Sequence, residues 1–379
     1  MPHAHSPHSH APYTPRSIHV LLPKLVFPAN LSSSSWTSAS LRYPNYGPIP
    51  GESQLYNDYT GKAPPFPANV TQPIAATHPG CPAPDDQLWQ NLLSAEWIIY
   101  SFYQYGVSHF NTSSFTSLGL PNNTYTRITE IRDNEAGHLR LFQTQISAAS
   151  VKPGACAYDF SALVGDNPEA FLGATTLIEV ASMLFLTGLV QGAKLDAAKG
   201  ALTAVSQVET RHEVWALLDV WGADPFGGPS DTAFPYATAI LELTNQFVVP
   251  GSCPAANPPF PNPAPNLPPS AVAAGTVSVA PGATVQLNFT DAENQPRFET
   301  GREYFAVWYH GLNVVSVPLD VSAWPAVPLQ FMIPKEFDGK GLVVMVVATE
   351  QGAPTLESVV TAPSLFLQQP EGLGAVFSI

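Results

Sequence analysis

Apolar positions recur at helical spacing in four long stretches, and the polar residues that interrupt them fall at caps and turns. The pattern predicts helices over about 87–108, 124–149, 168–192 and 196–221. The third opens on Asn167-Pro168-Glu169, an N-cap, a first-turn proline and an acid. About 16 residues join the second helix to the third, roughly 50 Å when extended against about 40 Å for a helix of this length. That connection can cross a whole bundle, whereas the short turn Gly192 to Asp196 makes the third and fourth helices antiparallel neighbours. A Gly/Pro loop then leads to a fifth, short helix over Tyr236 to Val248. Beyond it, Cys253 to Pro269 is dense in proline and reads as a semi-rigid spacer.

From about 271 the period changes to that of strands, at Thr276–Ala280, Thr284–Phe289, Tyr304–Tyr309, Val314–Val317, Leu329–Ile333 and Gly341–Ala348. The expected fold is therefore α plus a separate all-β domain: a helix bundle followed by an immunoglobulin-like β-sandwich. The domains are an extended Pro-rich N-terminal arm over 1–80, the bundle over 81–250, a Pro-rich linker over 251–270 and the β-sandwich over 271–379.

Charge along the helices is sparse, and its positions carry the chemistry. Between Asp86 and Arg127 the sole charged residue, with His109 neutral, is Glu96; between Glu169 and Lys194 it is Glu179. A carboxylate buried alone costs several kcal/mol or stays protonated, so each calls for a cation. Neither helix offers Lys or Arg beside it, and a metal is the leading candidate. The other two helices each carry a Glu three residues before a His, Glu135/His138 and Glu209/His212, and residues at i and i+3 share a helix face. One Glu-only helix followed by one E-x-x-H helix, given twice, is the ligand set of carboxylate-bridged di-iron and di-manganese four-helix bundles.

On these residues the segment 87–221 resembles the ferritin-like superfamily, and the overall layout looks most like fungal secreted ferritin-like proteins associated with stress responses. The resemblance implies two metal ions, Fe or Mn, with Glu96 and Glu179 as terminal or bridging carboxylates and the two E-x-x-H pairs completing the site. It further implies an oxidoreductase, an oxidase, peroxidase or catalase-like enzyme, that meets dioxygen or hydrogen peroxide in oxidative stress protection. The long extensions on both sides are unlike cage-forming ferritins. An extracellular structural or binding stress protein with a storage-only or vestigial metal site is the alternative, and a hydroxylase or desaturase acting on an apolar substrate is a third reading.

Tyr100 and Tyr103, four and seven residues after Glu96, share its face; they are either core aromatics or residues that bond a ligand carboxylate or carry a radical. Arg132, Asp133, Arg211 and Glu213 flank the E-x-x-H pairs, as surface charge or as groups that orient the ligands.

Composition narrows the partners. With 29 acids against 15 bases and a net charge of −14, neither nucleic acid nor an anionic membrane is expected as a partner. The third helix is long enough to span a bilayer, but Glu179 at its centre and its diluting polar residues predict a core helix and no membrane span. Only 12% of residues are charged while Pro numbers 40, and sequons stand at Asn30, Asn69, Asn111, Asn122 and Asn288. These features predict an extracellular, secreted glycoprotein, although no ordinary signal peptide is evident at the N-terminus. The β domain carries no catalytic constellation and reads as a structural or adhesive module, with cell-wall or glycan contact as its other role. Of the three cysteines, Cys81 precedes the first helix and Cys156 follows the second, which makes them the expected disulfide pair.

Overall fold

A computed structural model describes residues 61–67, 72–226, 232–272, 281–289, 291–337, 342–367 and 376–377. The arm up to residue 60, with Asn30, together with Asn69 and the strand expected at Thr276–Ala280, lies outside the described residues.

The helices are α1 (Asp86–His109), α2 (Thr112–Thr116), α3 (Thr124–Gln145), α4 (Pro168–Gly192), α5 (Asp196–Trp215) and α6 (Ala237–Leu243). A π-helical turn, Ala216–Val220, extends α5, and a 3-10 turn, Thr244–Phe247, extends α6. The long helices pair α1 with α3 and α4 with α5. Asn167 caps α4 as its sequence predicts, its side chain accepting from the Glu169 amide at 2.9 Å and from the Ala170 amide at 3.3 Å. Asp85 and Asp86 do something other than cap α1. The Asp85 carboxylate accepts from the amides of Lys194 and Leu195 at 2.8 and 2.9 Å, and Asp86 accepts from the Ser147 amide at 2.8 Å and from the Ser150 hydroxyl at 2.6 Å. The start of α1 is thereby tied to the α4–α5 turn and to the end of α3, which makes α1 antiparallel to both neighbours. Although burial opposes it, these bonds hold the Asp86 carboxyl below its ordinary value. α4 is the one described helix long and apolar enough to cross a membrane, and it is buried along most of its length as the core helix of the bundle.

A β region follows, of two antiparallel sheets ordered β1-β2-β5 and β4-β3-β6-β7-β8. Its strands are β1 (Ser270–Val272), β2 (Thr284–Phe289), β3 (Phe305–His310), β4 (Asn313–Pro318), β5 (Leu329–Met332), β6 (Leu342–Ala348), β7 (Ser364–Leu367) and β8 (Val376–Phe377). The inner faces meet around Trp308, fully buried against Phe331 and Phe366 with ring centroids 5.4 Å away in each case. The other face of the larger sheet is also buried. Phe305, Val307, Tyr309, Val344 and Val346 join the same apolar core as the helices, and Phe234 meets Tyr309 edge-on at 5.1 Å. The alternation of β3 and β6 thus serves two cores, one within the β region and one against the bundle.

The Pro-rich segment lies along the bundle. Asn262 exchanges two hydrogen bonds with Asn91, at 2.8 and 2.9 Å, and Asn257 exchanges two with Gly154, at 2.9 and 2.8 Å. This course corrects the disulfide expected between Cys81 and Cys156: Cys156 is bonded to Cys253, and Cys81 is free and exposed. Local spacing favours Cys81, but the chain beyond α6 pairs with the α3–α4 crossover, where Val249 donates to the Ala157 carbonyl at 2.9 Å and carries Cys253 to its partner. The bond closes a separation of 97 residues. Changing Cys253 to Ser is expected to lower stability by about 2–4 kcal/mol in denaturant titration.

Candidate metal centre

The six predicted ligands converge at mid-bundle. Glu96 comes from α1, Glu135 and His138 from α3, Glu179 from α4, and Glu209 and His212 from α5; none is more than 7% exposed. They form two overlapping groups able to hold a metal ion, Glu96, Glu135, His138 and Glu209 in one and Glu135, Glu179, Glu209 and His212 in the other. Within each group one donor atom per residue lies within 4.8 Å of the others. The E-x-x-H glutamates are common to both groups, and Glu96 and Glu179 belong to one each.

Both imidazoles point Nδ1 inward. His138 Nδ1 lies 2.9 Å from Glu135, 3.3 Å from Glu96 and 3.3 Å from Glu209. His212 Nδ1 lies 3.2 Å from Glu179, 3.3 Å from Glu135 and 3.3 Å from Glu209. Among the described residues no Lys or Arg pairs with any of these four carboxylates. Arg132 instead engages Asp133 at 2.7 Å and Gln104 at 2.8 Å, and the Arg140 guanidinium lies 4.0 Å over the Phe66 ring. Glu96 Oε1, Glu135 Oε1 and Glu209 Oε2 are buried without a hydrogen-bond donor. Buried carboxylate oxygens in that condition fit a cation, and an O/N donor set of this kind suits Fe or Mn.

The electrostatics show the strain of four acids in one apolar space. Burial first, then the charge of Glu135, pushes Glu96 well above its ordinary value. Burial does the same to Glu179, with His212 opposing. For Glu135 and Glu209 burial also acts upward, yet the two imidazoles outweigh it and hold both carboxyls low. His138 and His212 are in turn pushed up against the pull of burial, His138 chiefly by Glu135 and His212 chiefly by Glu179.

The two tyrosines part company. Tyr103, fully buried, donates its hydroxyl to Glu179 Oε1. Tyr100 is not at the centre: its hydroxyl accepts from the Phe66 amide at 2.8 Å, so it anchors the segment 61–67 to α1. The flanking charges are likewise elsewhere, Arg211 exposed and Glu213 buried and pushed up to about 7 by that burial.

One positioning residue escapes sequence reasoning. Asn134 Oδ1 lies 3.2 Å from His212 Nε2; an Nε2–H donating to it orients the ring from its outer side and leaves the Nδ1 lone pair for a metal once Nδ1 is deprotonated. Its position next to Glu135 was the only signal, and the partner is on another helix. Asn134→Leu is expected to weaken metal binding at the Glu179/His212 group about 10- to 100-fold in a chelator competition titration, leaving the Glu96/His138 group unchanged.

A four-helix bundle with a buried Glu/His cluster of this make-up is compatible with a di-metal site. Residues 85–218 match the family described as the ferritin-like domain, so the helical region of the chain is ferritin-like. No curated protein matches the chain.

Proposed function

We propose that the protein is a di-metal oxidoreductase that binds two Fe or Mn ions through Glu96, Glu135, His138, Glu179, Glu209 and His212 and reacts with dioxygen or hydrogen peroxide in oxidative stress protection. The sharing of Glu135 and Glu209 between two ligand groups carries this reading. Four ionised carboxylates and two neutral imidazoles bring four negative charges, which two divalent cations neutralise. Held by these six side chains, such a metal pair would supply two electrons to the oxidant.

The chain's own residues define what can approach. The four carboxylates are at most 3% exposed, which favours a small oxidant such as dioxygen or a peroxide over a large organic substrate. Tyr103 holds a proton at its hydroxyl against Glu179 Oε1, and that proton is the one placed to move as charge at the carboxylate changes. Apolar neighbours in α1 and α4 keep bulk water from the carboxylates and strengthen each electrostatic contact. The extracellular setting draws support from the Cys156–Cys253 disulfide and from exposed sequon residues Asn111, Asn122 and Asn288.

Metal analysis of protein purified without chelator should find about two Fe or Mn per chain, followed by consumption of peroxide or dioxygen. Tyr103→Phe is expected to keep its metal and lose turnover about 10-fold or more. Bound metal with no consumption of either oxidant would leave the storage or structural reading in its place.

A further inference from the structure

Behind the metal-bearing faces of α1 and α4 lies a second feature, a cavity of about 300 Å³ at the junction of bundle and β region. Its walls come from Ile99 and Phe102 of α1, Ile178 and Phe185 of α4, Ile240 of α6 and Leu365 of β7. At about 100° per residue, Ile98 and Phe102 lie about 200° and 240° round α1 from Glu96, and Ala181 and Phe185 lie at the same offsets from Glu179 on α4. Ile99 and Ser182, at about 300°, are nearer the ligand face, but most of the lining turns away from the carboxylates and none of the six ligands lines the cavity.

Apolar wall of this extent left against water is unfavourable unless an apolar molecule covers it. The cavity's chemistry is two-part. The interior is aliphatic and aromatic, with the buried Ser182 hydroxyl as a single polar point, while the rim carries Asp159, Thr244 and Gln246. Asp159 is fixed there: its amide donates to the Phe247 carbonyl at 2.8 Å and its carboxylate accepts from the Ser161 amide at 2.9 Å. The Ser161 side chain, and after it this amide, hold the carboxyl below its ordinary value, so the rim is anionic at neutral pH. Among the described residues no Lys or Arg lines the cavity.

We infer that this cavity is a binding site for a neutral, elongated apolar molecule with a hydrogen-bonding hydroxyl head, a fatty or terpenoid alcohol rather than a fatty acid. The size follows from packing: an apolar cavity of about 150 Å³ holds one benzene, so this one takes about ten to fifteen carbons. The head-group choice follows from Asp159, which accepts a hydrogen bond from a hydroxyl and repels a carboxylate.

The full-length protein would be titrated with N-phenyl-1-naphthylamine, a neutral apolar fluorophore, and the complex then competed with 1-dodecanol or dodecanoate. A saturable, single-site rise in fluorescence is expected, with dodecanol displacing the probe at least 10-fold more effectively than dodecanoate and Asp159→Asn narrowing that gap. Filling the cavity by Ala181→Phe, and independently by Ile178→Trp, should weaken probe binding at least 10-fold in protein that still unfolds cooperatively. Glu135→Ala should leave probe binding unchanged, which separates this site from the metal centre. Absence of saturable binding, or unchanged binding in both cavity-filling variants, would overturn the site; equal displacement by alcohol and carboxylate would overturn the head-group assignment.

Discussion

Glu135→Ala is expected to strip metal from both halves of the centre, whereas Glu96→Ala strips one. Glu135 offers one oxygen to each ligand group, Oε2 beside His138 at 2.9 Å and Oε1 beside His212 at 3.3 Å. Its loss removes a ligand from each group and the nearest carboxylate from His138, and Glu209→Ala should match it because Glu209 also faces both imidazoles at 3.3 Å. Glu96 touches only the His138 side. Metal analysis should therefore fall from about two per chain to near zero for Glu135→Ala or Glu209→Ala, and to about one for Glu96→Ala or Glu179→Ala. Because structural metal binding is also folding free energy, the first pair should show the larger drop in melting temperature. Equal residual metal in all four variants would show that no carboxylate is shared.

The clustering of the six side chains was legible in sequence because its information is local. A lone Glu in an apolar helix and a Glu three residues before a His each fix a face of one helix, and bundle geometry brings four such faces together. Tyr103 followed from the same periodicity. Tyr100 shares that stripe by spacing but is drawn to Phe66, a residue of the arm whose course no helical pattern predicts. The contacts that escaped are those between distant segments: Asn134 with His212, Cys156 with Cys253, and the start of α1 with the α4–α5 turn. In the β region, strand positions were readable from alternation and apolar runs, but β1, β7 and β8 were missed, each being only two to four residues long. The uninterrupted apolar runs Phe305–Tyr309 and Leu342–Val347 did hold a sign of burial on both faces, now explained by the bundle packed against the outer one.

Protein stripped of metal by chelator is expected to be most stable near pH 4.5 and to weaken steadily toward pH 8, while the metal-loaded form is not. Glu96 and Glu179 have folded values raised above 4.5, so their contribution is complete below that pH and is lost as pH rises through the folded values. His138 and His212, raised above 6.5, add a second loss that begins there. Glu135 and Glu209 are lowered, so theirs is present above 4.5 and lost as pH falls through the folded values. The unfolded chain then binds more protons than the folded one below pH 4.5 and fewer above it, which sets the maximum and makes the decline steepen past 6.5. Bound cations take the place of those protons, and ligands that must be deprotonated bind them better as pH rises. Melting curves of stripped and loaded protein should therefore diverge between pH 5 and pH 8, the gap growing with pH; a gap that is constant or shrinks would mean that protons and metal do not compete for these six side chains.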